Sequence, residues 1–136
     1  MTARDIADLA IGTDDDSRFF WEGTARGELL AQRCRGCGAL RHPPSPACPH
    51  CRSLEWDVEP TPQTGLLHSV AAVRSPGSPI RGEDYLICLV DLADGVRVAA
   101  NLHGCTLAEA RIGASVELFF EPVAHGYQLP QFRLTP

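Results

Sequence analysis

The sequence predicts a mainly β protein: a short N-terminal helical segment, a β-ribbon built around four cysteines, and a five-stranded barrel of OB-fold type. Three observations lead there. Two C-x-x-C pairs, Cys34/Cys37 and Cys48/Cys51, stand ten residues apart in the stretch CRGCGALRHPPSPACPHC. From residue 66 onward, short apolar runs alternate with Gly, Pro and Asp punctuation, which is the grammar of strands and turns. The order of those runs (three strands, a short helix, two strands) is that of an OB barrel. An SH3-like barrel is the rival for so few strands. The expected boundaries are 1–27 for the helical segment, 28–59 for the ribbon and 60–136 for the barrel.

Residues 3–11 suit a short helix ended by Gly12. Asp14, Asp15, Asp16 and Ser17 read as a second helix start. Short polar side chains accept from free N–H groups there, and acids suit the positive end of the helix dipole. RFFWEGTARG continues that helix, and Gly27 provides its stop. A helix this short is marginal alone, so Phe19, Phe20 and Trp21 must cover something, either this chain or a partner.

ELLAQR (28–33) reads as a strand entering the first cysteine pair, and ALRH (39–42) leaves it. PPSP (43–46) lacks donors for a central strand and becomes a loop. LEWDV (54–58) leaves the second pair as a strand. After the EPTPQTG linker, LLHSVAAV (66–73) and YLICLVDL (85–92) are strands joined by the loop RSPGSPIRGED (74–84). Asp94-Gly95 turns a hairpin into VRVAANL (96–102). TLAEA (106–110) suits a short helix, with Thr106 and Glu109 spaced as a capping box. SVELFFEPV (115–123) and QFRL (131–134) are the last strands.

Composition removes several classes of function. The net charge of −5 argues against a general nucleic-acid binder. All twelve basic residues are Arg, so neither Schiff-base chemistry nor a Walker A phosphate loop is available. No apolar run reaches the ~18 residues of a membrane span, and the N-terminus lacks the apolar block of a signal peptide. The expected compartment is the cytoplasm, where paired cysteines more often hold metal or carry redox chemistry than form disulfides.

Four thiolates in two C-x-x-C turns can close a tetrahedron on zinc, each turn placing both sulfurs on one side of the ion. The separation of the pairs is shorter than the roughly 15–20 residues common in such sites, but a ribbon with a tight proline loop can close it. Gly38, after Cys37, suits the close backbone approach of such a turn. Iron in the rubredoxin manner, a thioredoxin-like redox pair and two disulfides are the rivals, and His50 is a possible substitute ligand. A complete sulfur shell leaves no open position for water, so the metal is structural, and its binding is part of the ribbon's folding free energy.

Between Glu28 and Glu55 the chain carries Arg33, Arg35, Arg41 and Arg52 and no acid. They either offset the charge of a zinc tetrathiolate or form a positive patch for a phosphate-bearing ligand. Cys88, inside ICLV, is a small buried hydrophobe. Cys105, beside His103 and a helix start, has the surroundings that can lower a thiol pKa, but no orienting group accompanies it. His68 reads as a core or groove residue. The barrel aromatics Tyr85, Phe119, Phe120, Tyr127 and Phe132 mostly suit a core. No Ser-His-Asp set, H-E-x-x-H motif or glycine-rich phosphate loop is present, so the chain reads as a binding module or subunit with no catalytic residues.

The stretch FWEGTARGELLAQRCRGCGALRHPPSPACPHC, followed by TGLLHSV and RIGASVELFFEPV, resembles the zinc-ribbon/OB-fold family catalogued as domain of unknown function thirty-five. The resemblance covers about residues 17–134. It implies a helical segment, a rubredoxin-like zinc ribbon with ligands Cys34, Cys37, Cys48 and Cys51, and an OB-fold barrel. It also implies association with acyl-CoA enzymes of the thiolase superfamily: thiolases, hydroxymethylglutaryl-CoA synthases and lipid-transfer-protein-like aldolases of steroid side-chain breakdown. MaoC-type hydratases are sometimes fused to such chains.

The expected function is an accessory subunit that stabilises or completes such an enzyme, with neither nucleic acid nor membrane as partner. Phe19, Phe20 and Trp21 on the helix, together with the barrel, are the expected docking surface. A CoA thioester is a possible shared ligand. Its phosphates would meet Arg74 and Arg81 in the first barrel loop, or Arg33 and Arg35 on the ribbon, through charge-assisted hydrogen bonds. A single-strand binder using the OB groove and an iron electron carrier are the alternatives.

Overall fold

The computed structural model describes residues 8–74 and 84–136. The expected helix over 3–11 falls largely outside them, and Arg81 lies wholly outside. Residues 9–12, which are described, are not helical. The elements are α1 (Arg18–Ala25), β1 (Leu30–Cys34), β2 (Leu40–Arg41), β3 (Trp56–Pro60), β4 (Thr64–Val73), β5 (Tyr85–Ala93), β6 (Val96–His103), β7 (Ser115–Pro122) and β8 (Gln128–Leu134). Strands β2-β1-β3 form the ribbon sheet, and β4-β5-β6-β8-β7 close a barrel. No helix among the described residues is long and apolar enough to cross a membrane.

The barrel core follows from alternation. Leu67, Cys88, Val90, Val96, Val98, Val116 and Phe132 all turn inward and are buried. Burying each large aliphatic or aromatic side chain stabilises by roughly 1.5–3 kcal/mol. Phe120 packs against this core while partly buried, and Tyr85, Phe119 and Tyr127, also partly buried, are not among the residues packed on it, which corrects the expected core assignment for those three. Phe119 points outward, with the Arg133 guanidinium 5.1 Å from its ring centre and His103 edge-on at 5.4 Å. β6 and β8 are parallel and pair only at Leu102↔Phe132 and His103↔Arg133. Beyond that pairing the Gln131 side chain bridges the seam, accepting from the Asn101 amide (2.9 Å) and donating to Glu121 (3.1 Å).

The expected helix at 106–110 is a single hydrogen-bonded turn. Its capping pair forms, Thr106 to Glu109 at 2.9 Å. The chain then turns back: Gly113, with φ +87°, donates its amide to the Leu67 carbonyl at 2.7 Å and returns the backbone to the barrel.

α1 starts differently from expectation. Ser17 makes no side-chain cap bond to the helix. Instead Asp14 Oδ1 accepts from the Ser17 amide (2.8 Å), the Ser17 hydroxyl (2.8 Å) and the Asp16 amide (3.1 Å). Those bonds hold the Asp14 carboxyl below its ordinary pKa, the Ser17 hydroxyl contributing most.

The helix is packed by its own chain. Phe20 is buried, and its ring lies 5.3 Å from that of His42 on the ribbon. Phe19 lies 4.8 Å from Trp56 on β3. Fully buried Thr24 ties α1 to the barrel, accepting from the Gln128 amide (3.4 Å) while its carbonyl accepts from the Gln128 side chain (3.0 Å). A Cβ on Gly23 would stand 2.7 Å from Leu30 Cδ1, so glycine permits the close approach to β1.

Candidate metal centre and apolar groove

The two C-x-x-C turns fold as matching knuckles. In the first, the Cys34 amide donates to the Ala39 carbonyl and the Gly38 amide to the Cys34 carbonyl, both at 2.9 Å. In the second, the Cys48 amide donates to the Ser53 carbonyl and the Arg52 amide to the Cys48 carbonyl, again at 2.9 Å. The tips face each other. All four Sγ atoms lie within 4.8 Å of one another, with Cys34–Cys51 at 3.5 Å and Cys37–Cys48 at 3.7 Å. A tetrahedron with metal–sulfur bonds of ~2.3 Å has edges of ~3.8 Å, so the sulfurs fit a tetrahedral metal ion. His50 lends this site its amide, which donates to Cys48 Sγ at 3.4 Å, and its ring is not part of the ligand cluster.

Electrostatics favour the same occupant. The Cys37 amide leads the groups that lower Cys34 to about 6, against burial and with help from the Cys51 thiol and the Gly36 amide. The Cys51 and His50 amides lower Cys48. The Ser53 amide also favours the Cys51 thiolate, but neighbouring sulfurs and burial outweigh it and push that thiol up to about 11. Crowded thiolates are relieved by a cation. Gly38 has φ +78° and open space around it, so its role is conformational rather than the close approach expected. The close approach belongs to Gly36, where a Cβ would lie 3.0 Å from Cys51 Sγ.

The ribbon arginines are largely engaged. Arg33 pairs bidentately with Glu59 and also donates to the Gly38 carbonyl. Arg35 pairs with Asp57 at 2.7 Å. Arg41 is buried and bonds Gln32 (3.1 Å), the Ser45 hydroxyl (3.0 Å) and the Ser45 carbonyl (3.0 Å). Fully buried Gln32 closes the knot, accepting from the Ser45 amide (2.9 Å) and donating to its carbonyl (3.0 Å). Gln32 and Arg41 thus pin the proline-rich loop before the second knuckle, a role the sequence reading missed. The only signal was that β1 carries an amide at a position fully covered on both sides. Arg52 and Arg74 are exposed.

Cys88 is buried and pushed up to about 11 by desolvation, as a structural thiol should be. Cys105 is also raised, by burial first and then by Glu109, the opposite of what a nucleophile needs. His68 is neither core nor groove: it points outward beside Asp91 at 3.6 Å.

A groove of about 740 Å³ runs between α1, the His42–Pro44 loop and the barrel. Trp21 and Phe20 line it from the helix, Pro43 and Pro44 from the ribbon, and Ile87 and Pro130 from the barrel. Half-buried His42 borders it, its pKa lowered to about 4 by desolvation.

The chain matches the family described as "ChsH2, rubredoxin-like zinc ribbon domain" over residues 21–57 and "ChsH2, C-terminal OB-fold domain" over 58–121. It is 36% identical over 118 residues to a protein of Thermomonospora curvata named "Probable enoyl-CoA hydratase alpha subunit", covering 87% of this chain and 37% of that protein. It is 36% identical over 101 residues to the "3-oxo-4,17-pregnadiene-20-carboxyl-CoA hydratase alpha subunit" of Mycobacterium tuberculosis, covering 74% and 32%. The chain therefore spans about a third of the length of these two relatives. Among solved structures it resembles a chain of the "Ltp2-ChsH2(DUF35) aldolase", with TM-score 0.83, 34% identity and coverage of 92% of this chain and 98% of that one. With both halves matched in order and the knuckles in place, this chain belongs to the ChsH2 (DUF35) family of zinc-ribbon and OB-fold proteins.

Proposed function

We propose that this chain is a non-catalytic accessory subunit that binds, and completes or stabilises, a thiolase-like acyl-CoA enzyme. The partner is a thiolase or a lipid-transfer-protein-like aldolase of steroid side-chain degradation. One observation carries this reading: the chain matches a subunit of an aldolase assembly along nearly all of that subunit's length. The hydratase-named relatives make a MaoC-type hydratase the second candidate partner.

The metal is zinc, held by Cys34, Cys37, Cys48 and Cys51, and its role is structural. Four sulfurs fill a tetrahedral shell, so water and substrate have no ligand position. Since Phe20 is spent inside the chain, docking through α1 falls to the exposed parts of Phe19 and Trp21. A CoA thioester shared with the partner would find Arg74 exposed and without a carboxylate partner among the described residues, whereas Arg33 and Arg35 would have to exchange Glu59 and Asp57 for phosphate.

The test is to assay the partner aldolase alone and with an equimolar amount of this chain. The reading predicts that kcat or the enzyme's half-life falls at least tenfold without the chain. Full activity and full lifetime of the enzyme alone would refute it.

A further inference from the structure

A strand at the rim of a sheet shows a row of unpaired N–H and C=O groups, and folded proteins blunt such rims with short strands, prolines and bulges. Most open edges of this fold are blunted in that way. β2 is a two-residue strand, β3 ends in Pro60, and β4 carries a bulge between Leu67 and Ser69. β6 is different. It pairs with β8 only at Leu102 and His103, and its run from Val96 to Asn101 has neither proline nor bulge. The one charge on that run, Arg97, is tied to Asp91 at 2.6 Å.

One bond shows which way the backbone groups of this edge point. The Asn101 amide donates to the Gln131 side-chain oxygen at 2.9 Å, on the β8 side, so it faces away from β5. In an antiparallel pair that direction repeats at every second residue, and the β5–β6 register is regular from Arg97 to Asn101. The N–H and C=O of Ala99 and of Arg97 therefore face the same way. No strand among the described residues pairs with them there, and both residues are exposed. At this level β8 has turned away to pair with β7. The Gln131 side chain stands in for its backbone at one rung, and Pro130, the next residue, has no N–H to offer.

The space beside this edge is the groove described above, with Phe20, Trp21, Pro43 and Pro44 as its far wall. Three features define what fits. A polypeptide brings a donor and an acceptor at every residue, which answers the open groups of Ala99 and Arg97 one for one. At about 3.4 Å per residue, the edge from Arg97 to Asn101 runs roughly 14 Å, the length of a segment of about five residues. Among the described lining residues none is Asp, Glu, Lys or Arg, so the segment is uncharged. The far wall also decides how the segment is attached. α1 and the proline loop close the slot opposite β6, so an incoming strand cannot bring a sheet of its own. That rules out the β6 edge of a second copy and leaves a loop or a tail.

We propose that the β6 edge at Arg97 and Ala99 receives an extended, uncharged loop or tail of the partner enzyme, which adds as a strand between β6 and α1. Main-chain hydrogen bonds hold such a segment, and alternate side chains find their pockets, here against Phe20, Trp21 and the two prolines. The assignment rests on the accessory-subunit reading for the identity of the partner.

The test follows hydrogen–deuterium exchange at single residues by mass spectrometry, on the full chain alone and assembled with the aldolase. The Arg97 and Ala99 amides should exchange at least tenfold more slowly in the assembly. Ala99→Pro removes the outward N–H without touching a bond to β5, the one setting in which a strand tolerates proline. It should weaken assembly roughly tenfold with unchanged circular dichroism, whereas Ala99→Val, which keeps the N–H, should weaken it less than threefold. The proposal is overturned if the assembly forms while both amides exchange as in the free chain, or if folded Ala99→Pro assembles as tightly as its parent. Should Ala99→Pro lose its β-structure, the exchange result decides alone. Slow exchange in the chain by itself, together with a dimer mass, would give the edge to a second copy and overturn the proposal. Failure to assemble at all overturns the accessory reading and this proposal with it, whereas assembly without protection overturns this proposal alone.

Discussion

Gly38 and Arg52 hold the same place in the two metal knuckles, each one residue past the second cysteine, with φ +78° and +66°. Each donates its amide to the carbonyl of the first cysteine of its knuckle. Glycine adopts this conformation without steric cost, whereas a residue with a Cβ pays roughly 1–2 kcal/mol. Arg52→Gly should therefore stabilise the protein by about 1 kcal/mol, and Gly38→Ala should destabilise it by a similar amount. Urea unfolding of the two variants checks both signs.

Gly95 and Leu40 form the joint between ribbon and barrel. A Cβ on Gly95 would overlap the Leu40 carbonyl oxygen, and its φ is +82°. Gly95→Ala should cost about 2–4 kcal/mol, since strain and a backbone clash act together. The loss should appear as a lower urea midpoint with an unchanged slope.

His42 should make stability depend on pH. Burial lowers its folded pKa from 6.5 to about 4, so below pH 6.5 the unfolded chain binds the extra proton. Stability from this group is complete above about 6.5 and is lost as pH falls through 4, in total about 3 kcal/mol. His42→Phe should show a shallower decline than the parent across that window. Parallel curves would show that His42 does not titrate as described.

Metal removal should separate the two halves. The buried cluster reaches Phe20, Leu29 and Ala31 but is made mostly of barrel residues, while the metal end of the ribbon relies on its four sulfurs and the Gln32–Arg41–Ser45 knot. A chelator at pH 7 should unfold the ribbon, free Trp56 from Phe19 and red-shift tryptophan emission, while barrel β-structure persists in circular dichroism. Cys48→Ser should behave as the chelated protein does.

The four cysteines were legible because their chemistry depends on spacing alone, and β5 and β6 because Asp94-Gly95 marks the turn between them. TLAEA misled because a capping box was present without enough residues beyond it: Gly113 turns the chain back within one turn. Phe119 misled because alternation places it outside, where Arg133 covers its ring. The groove draws on α1, the proline loop and four strands remote in sequence, which no local pattern reveals. One trace was visible. LICLV in β5 does not alternate, which signals a strand covered on both faces, and here only one face is covered by the chain itself.

If this chain is one part of a thiolase-like enzyme assembly, as proposed above, the two proteins must travel together. Co-expression with such an aldolase, followed by size-exclusion chromatography and native mass spectrometry, tests it most directly. The expected result is a stable complex of fixed stoichiometry whose mass includes one zinc per copy of this chain. Separate elution of the two proteins at micromolar concentration would contradict it.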